Sequence, residues 1–308
     1  MHRREFLAGG AALGLTGAAA ADVIQVDVVD RGLAGKFFAP PGARSRTAVL
    51  MLGGSNGGFP PAEYARDLAS AGFPTLSLAY FKGFNPVGVP AHVPARLQEI
   101  PLEYFFRAID WLKRRLEVNP RKIVLMGESR GGELVLQLAA LRRDVGGVIA
   151  YVPSHLRWGA VSAEDRAAWT LGGKPLPYLR DQGPQSGRTM MEAFLEALAR
   201  PAAEIEAASI PVEKIRGPVL LLSTRADGLW PSTRMAEAAI ARMQRRGKRG
   251  PRDHIVYEDA SHLLMGPGPG TTKMGSGPFS IDFGGSAEGT LRARNDAWAK
   301  SKEFLARL

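Results

Sequence analysis

Lys122-Ile123-Val124-Leu125-Met126-Gly127-Glu128-Ser129-Arg130-Gly131-Gly132-Glu133-Leu134-Val135-Leu136 is the stretch whose reading decides the fold. An apolar strand runs straight into Gly-x-Ser-x-Gly, and a helical run continues without a spacer. The pentapeptide alone is a weak signal in a chain with 36 glycines, so its place between strand and helix is what gives it weight. A strand-to-helix turn this tight needs glycine on both sides of the serine, because side chains there would collide, and it lifts Ser129 Oγ into the cleft above a sheet. It also sets Ser129 at a helix N-terminus, where free N–H groups and the helix dipole favour a developing anion.

Outward from this turn, short apolar runs alternate with amphipathic helical ones. Residues 23–29 and 35–38 read as a leading antiparallel pair, followed by strands at 47–52, 75–79, 122–126, 147–152, 218–223 and 254–257. Continuous apolar strands are buried on both faces, and helical patterns at 62–71, 102–116, 133–142, 231–245 and 289–308 supply the covering layers. The expected class is α/β, a mostly parallel sheet with helices on both faces. Two stretches break the alternation. Residues 155–216, long and rich in Pro, Gly and charge with a helix near 190–198, read as a cap or lid inserted between two strands. Residues 266–285, with many glycines and Pro267, Pro269 and Pro278, read as a surface loop that closes over the site.

Composition narrows the chemistry. The 308 residues are 45% apolar and contain no cysteine, which excludes a disulfide framework, a thiolate nucleophile and cysteine-ligated zinc. The formal charge of +10 favours anionic ligands without fixing a fold. The basic stretch Arg242 to Arg249 reads as a solvated helix end whose cations suit the C-terminal dipole, the alternative being a phosphate or membrane patch. Residues 1–21 carry Arg3-Arg4, a short apolar run and an Ala-rich end, the three parts of an export leader. Their Arg-Arg-x-Phe-Leu order is similar to the twin-arginine signal, so the expected location is the periplasm. About 15 weakly apolar residues fall short of the ~20 that span a bilayer, so no stable membrane span is expected.

A serine hydroxyl needs a base to take its proton and an acid to orient that base. In this kind of fold the partners follow in the order Ser, Asp, His, on loops after later strands. Asp227 lies just beyond the 218–223 run and His262 just beyond 254–257, which makes Ser129, Asp227 and His262 the candidate catalytic residues. Asp259 is the rival acid, disfavoured by lying on the same local turn as His262. His2, His92, His155 and His254 occupy the leader, a Pro-rich loop, the cap entrance and a strand. The two oxyanion donors are expected from the backbone N–H of Arg130 and, in the loop Gly53-Gly54-Ser55-Asn56-Gly57-Gly58, from Ser55, with Asn56 the runner-up. Glu128 receives no triad role, and Trp230 reads equally as acyl-pocket wall or core. No dinucleotide loop, Walker A, His-Glu-x-x-His or EF-hand spacing occurs, so no cofactor, metal or nucleic acid is expected.

These residues also resemble a family, the C-terminal catalytic domain of the bile acid-CoA:amino acid N-acyltransferase and acyl-CoA thioester hydrolase proteins. The resemblance runs from about Phe37 to Leu308. It is carried by Met51-Leu52-Gly53-Gly54-Ser55-Asn56-Gly57-Gly58, Ser77-Leu78-Ala79-Tyr80, Pro101-Leu102-Glu103-Tyr104-Phe105 and Gly127-Glu128-Ser129-Arg130-Gly131-Gly132-Glu133, with Ile210 to Ile215, Asp227 to Ser232 and Asn295 to Trp298. It implies an α/β-hydrolase fold and acyl transfer from a thioester, with Ser129, Asp227 and His262 at the triad positions. Animal members carry an additional β-rich domain ahead of this one, whereas residues 22–45 alone precede the first core strand here. Members that conjugate amino acids resemble one another in carrying cysteine as nucleophile, so Ser129 favours water as acceptor. The leader points away from the cytoplasm, where coenzyme A thioesters are found. The expected activity is a serine hydrolase of small acyl thioesters or esters. The alternatives are a broad periplasmic carboxylesterase, a peptidase, an acyltransferase with another acceptor and, from a different class, a non-catalytic binding protein on the same fold.

Overall fold

The computed structural model describes residues 23–162, 164–180, 189–275 and 280–308, so the expected leader and a part of the expected cap lie outside the described residues. In chain order come β1 (Ile24–Val28), β2 (Ala34–Ala39), β3 (Arg46–Leu52), α1 (Ala62–Ser70), β4 (Thr75–Ala79), β5 (Ile100–Pro101), α2 (Leu102–Lys113), β6 (Val118–Glu128), α3 (Arg130–Leu141) and β7 (Gly147–Tyr151). Then follow β8 (Trp169–Leu171), β9 (Lys174–Pro175), α4 (Met190–Ala197), α5 (Ala202–Ala208), β10 (Val219–Thr224), α6 (Ser232–Arg245), β11 (Arg252–Tyr257), β12 (Lys273–Met274), β13 (Ile281–Asp282) and α7 (Ala287–Ala306).

Eight strands form one sheet in the order β1-β2-β4-β3-β6-β7-β10-β11. The first two pairings are antiparallel and the rest parallel, as the apolar runs require. Successive strand side chains point to opposite faces, and the core divides accordingly. Leu50, Leu125, Val148 and Leu221 join Phe105 and Ile109 of α2 and Leu134 and Leu138 of α3 on one face. Val49, Met51, Val124, Met126, Ile149 and Leu220 join Leu68 of α1 and Ala293, Ala297 and Trp298 of α7 on the other. Each such buried aliphatic or aromatic side chain contributes about 1.5–3 kcal/mol by leaving water, and this is what holds both helical layers against the sheet.

The described parts of residues 155–216 form a smaller unit above the sheet. β8 pairs with β5 and β9 in a three-stranded sheet. Leu156, Trp158, Leu179, Phe194, Ala197 and Ala208 pack with Trp230 and Met235 into a separate apolar cluster. Thr189 starts α4 with a capping box: its hydroxyl accepts from the Glu192 N–H, and the Glu192 carboxylate accepts from the Thr189 N–H. Residues 266–285, expected as a surface loop that closes over the site, hold more regular structure than that expectation named. Where described, this segment holds the β12–β13 hairpin and turns inward at Phe283, which is buried.

Candidate active site

β6 ends at Glu128, α3 begins at Arg130, and Ser129 between them has φ 58° and ψ −121°, a left-handed conformation that side chains other than glycine rarely adopt. Two bonds hold it there: the Ser129 N–H donates to Tyr151 O at 3.0 Å, and Ser129 O accepts from the Glu133 N–H at 3.0 Å. The flanking glycines are obligatory. A Cβ at Gly127 would lie 2.3 Å from Gly131 O, and one at Gly131 would lie 2.5 Å from Gly53 O.

The imidazole of His262 meets Asp227 through Nδ1, at 3.0 Å from Oδ1 and 2.9 Å from Oδ2. Asp227 stands three residues past β10, and the N–H groups of Leu229 and Trp230 also donate to its Oδ1, at 2.9 and 3.1 Å, which fixes the carboxylate. His262 stands five residues past β11, its own N–H donating to Phe283 O at 2.8 Å. The Phe283 ring stacks on the imidazole at 6.3 Å, and Trp230 meets it edge-on at 5.7 Å. Nε2 is buried without a hydrogen-bond partner among the described residues, which leaves it free to accept a proton. Burial pulls the His262 pKa down, but the charge and hydrogen bond of Asp227, with the charge of Glu128, carry it above the ordinary imidazole value.

The rival acid and the other histidines of the described strands and loops have partners elsewhere. Asp259 accepts from the Ser286 N–H and Oγ at 2.8 and 2.5 Å and so ties down the start of α7 rather than touching the imidazole. His92 Nε2 lies 3.1 Å from Gly32 O, and His254 Nε2 lies 2.8 Å from Ser223 Oγ. The Arg130 backbone N–H starts α3 beside Ser129. The loop after β3 approaches from the other side, since a Cβ at Gly54 would come within 3.3 Å of Ser129 Cβ. Neither the Arg130 nor the Ser55 N–H has an acceptor among the described residues. That loop is itself clamped, with Asn56 O accepting from the Phe84 N–H at 2.8 Å and the Gly58 N–H donating to Phe81 O at 2.9 Å.

Three features add to the sequence reading. Arg130 sends its guanidinium into the cap, donating to Gly159 O at 2.9 Å and Trp158 O at 3.0 Å, and its Nε lies 2.8 Å from Glu133 Oε2. Glu133, fully buried, also accepts from Trp158 N–H and Trp169 Nε1–H at 3.3 and 2.6 Å. Trp230, read from the sequence as either pocket wall or core, is buried and packs edge-on against the His262 ring. Its Nε1 donates to Val152 O, and Trp158, Phe194 and Trp230 form edge-on contacts at 4.7 and 5.5 Å that lead from the cap to His262. Glu128 carries the third, taken up below. A concavity of about 650 Å³ lies near the other end of α3, lined by Arg143, Lys214, Arg216, Lys248 and Arg249, and contains none of the candidate triad. Among the described residues no cluster of three or more His, Asp or Glu could hold a metal, and no helix is long and apolar enough to cross a membrane.

Residues placed at the carboxyl ends of β6, β10 and β11 in a mostly parallel sheet define the α/β-hydrolase fold. Solved structures agree: an esterase from Pyrobaculum calidifontis superposes with TM-score 0.54 at 16% identity, covering 92% of this chain and 84% of that one. The apo form of Thermogutta terrifontis esterase 2 gives 0.54 at 15% identity, covering 94% and 96%. Within this fold the chain belongs to the family described as BAAT / Acyl-CoA thioester hydrolase C terminal, whose model matches residues 100–308. Acyl-coenzyme A thioesterase 2, mitochondrial, of Rattus norvegicus is 28% identical over 310 residues, covering 99% of this chain and 62% of that protein. Peroxisomal succinyl-coenzyme A thioesterase of Mus musculus is 25% identical over 326 residues, covering all of this chain and 68% of its own length. The chain thus spans about three fifths of the length of the first of these relatives.

Proposed function

We propose that the protein is a serine hydrolase of acyl thioesters or esters. The observation that carries this reading is the Asp227–His262 pair with its orphaned, buried Nε2, in a fold that holds Ser129 in a strained turn at a helix N-terminus. In the mechanism, Ser129 Oγ attacks the acyl carbonyl while His262 Nε2 takes the hydroxyl proton. Asp227 holds Nδ1–H and stabilises the imidazolium. The N–H groups of Arg130 and Ser55 receive the oxyanion. Collapse expels the thiolate or alkoxide, which takes the proton from His262, and an acyl-serine remains. Water, deprotonated by the same nitrogen, attacks that ester and releases the acid, restoring Ser129.

The family and the thioesterase relatives support a thioester as substrate. A second reading, a carboxylesterase acting outside the cytoplasm, is supported by the leader-like residues 1–21 with Arg3-Arg4, which we read as a twin-arginine export signal ahead of one hydrolase domain. The test is kcat/KM on matched acyl-CoA and aryl-ester substrates, with Ser129→Ala as the blank. A Ser129-dependent preference for acyl-CoA establishes the thioesterase reading. Ester turnover with negligible acyl-CoA activity establishes the second. Wild-type rates in a folded Ser129→Ala protein would overturn both.

A further inference from the structure

Glu128 is the last residue of β6 and the neighbour of Ser129, and its hydrogen bonds go elsewhere than to Asp227. One of its carboxylate oxygens, Oε1, accepts two backbone N–H groups, from Leu264 at 2.8 Å and Met265 at 2.6 Å. These are the second and third residues after His262. The carboxylate therefore joins the end of the strand that presents Ser129 to the turn that presents His262, two segments more than 130 residues apart in sequence.

The same turn is held from α7. Arg294 donates to Leu263 O at 3.4 Å, Met265 O at 3.2 Å, Gly266 O at 3.1 Å and Pro267 O at 3.1 Å, and also to Tyr64 Oη at 2.7 Å. Carbonyls of the turn are gathered by one buried guanidinium and two of its N–H groups by one carboxylate, so each backbone bond gains the strength of a charged partner. The groups facing Glu128 are these N–H donors, His262, Arg294 and the hydroxyls of Tyr64 and Tyr151. Those facing His262 are Asp227, Trp230, Phe283 and Glu128.

A neutral glutamine could accept the same two N–H bonds, and a charge here carries a desolvation cost. Burial does push the Glu128 carboxyl above its usual range, against the pull of the Met265 and Leu264 N–H groups, His262 and Arg294. Where Glu128 is ionised, its charge and that of the His262 imidazolium favour each other.

We infer that Glu128 is a positioning residue, whose carboxylate fixes the His262 turn against the nucleophile strand and whose negative charge adds to that of Asp227 at the imidazole. This rests on the serine-hydrolase reading above. It assigns a task to a residue adjacent to the nucleophile without making it an acid or base of the reaction.

The two parts of the role separate by substitution. Glu128→Gln keeps both N–H acceptors and removes the charge. Glu128→Ala removes both. The experiment measures kcat and KM across pH 5–9 with whichever substrate the full-length wild-type protein turns over, beside Ser129→Ala, with melting temperature and circular dichroism as checks on folding. In Glu128→Gln we expect a plateau kcat within about threefold of wild type and an acid limb of kcat/KM displaced to lower pH, because the imidazolium has lost one stabilising charge. In Glu128→Ala we expect kcat to fall ~10- to 100-fold with KM within about threefold, the cost of misplacing a catalytic group. An acid limb that superimposes on wild type in Glu128→Gln, or an undiminished kcat in folded Glu128→Ala, overturns the assignment. If Glu128→Ala does not fold, the pH profile of Glu128→Gln decides alone. Wild-type turnover in Ser129→Ala would instead overturn the hydrolase reading itself and this role with it.

Discussion

Asp227 and His262 are buried to the point where neither can trade its partner for water, with 6% and 2% of their surfaces exposed. The imidazole is consequently tied to one tautomer, Nδ1–H toward the carboxylate and Nε2 bare. Because the base must be neutral to act, and its pKa is held above the ordinary imidazole value, kcat/KM should fall as pH drops through that raised value. The same shift has a stability sign. A histidine whose folded pKa exceeds its unfolded one contributes stability below the unfolded value, and loses it as pH rises through the folded value. Asp227→Asn removes the largest raising influence on the imidazole. It should lower kcat by ~10²- to 10⁴-fold and move the acid limb to lower pH, both read from steady-state profiles. A variant with the wild-type limb would mean that another group sets it. The type and order of the three candidates were legible in the sequence, because serine between glycines, an aspartate past one strand and a histidine past the next are signals written in residue identity. The part played by Glu128 was not, since its partners are backbone N–H groups of Leu264 and Met265, and no residue type announces a backbone donor.

The helix that begins at Arg130 does more than present Ser129. Over its first turn, Arg130 and Glu133 form a buried ion pair whose remaining hydrogen-bonding capacity goes to Trp158, Gly159 and Trp169 of the cap. Farther along the same helix, Gln137 accepts from Arg157 at 2.9 Å, and Arg157 also donates to Pro177 O and Ala207 O. One face of α3 is thereby the seat of the cap. Glu133→Gln keeps an acceptor for the two tryptophan N–H groups but leaves the Arg130 guanidinium without its counter-charge, which costs about 3–5 kcal/mol when such a pair is broken in a protein interior. The expected outcome is a clear fall in denaturation midpoint with loss of activity; an unchanged midpoint would mean that the cap carbonyls alone satisfy Arg130. At this scale the long elements were readable and the short ones were not. The periodicity of α2, α6 and α7 and the apolar runs of β3, β7 and β10 lie within a few residues of where the sequence puts them. β5, β8, β9, β12 and β13 have two or three residues each, too few to display an alternation, and their pairing is set by tertiary contacts. Glycine richness in residues 266–285 similarly concealed Phe283, whose ring and carbonyl both serve His262.

For the whole molecule the net charge of +10, or +9 without residues 1–21, bears on which substrate the site meets first. The basic stretch expected as a solvated helix end is more engaged than that. Arg242 pairs with Glu206 and Glu213, and Lys248 is 6% exposed, its ammonium donating to Gly217 O and Arg249 O. Arg143, Lys214, Arg216 and Arg249 have no carboxylate partner among the described residues, and they gather with Lys248 around the concavity away from Ser129. Arg130, beside Ser129, is likewise committed to the cap and Glu133, so its side chain offers no free charge to a substrate. Attraction of an anionic substrate would then come from the summed field of the chain rather than from a clamp in the site, and such a field is screened within ~8 Å at physiological ionic strength. For an acyl thioester of a polyanionic carrier, kcat/KM should therefore fall roughly three- to tenfold between about 20 mM and 500 mM salt, chiefly through KM. A neutral aryl ester of the same acyl group should change by less than about twofold, because its encounter gains nothing from the field. Parallel measurement on the two substrates separates this from any effect of salt on the fold, which would move both together. Equal salt sensitivity would show that charge steering plays no part in the choice between thioester and ester.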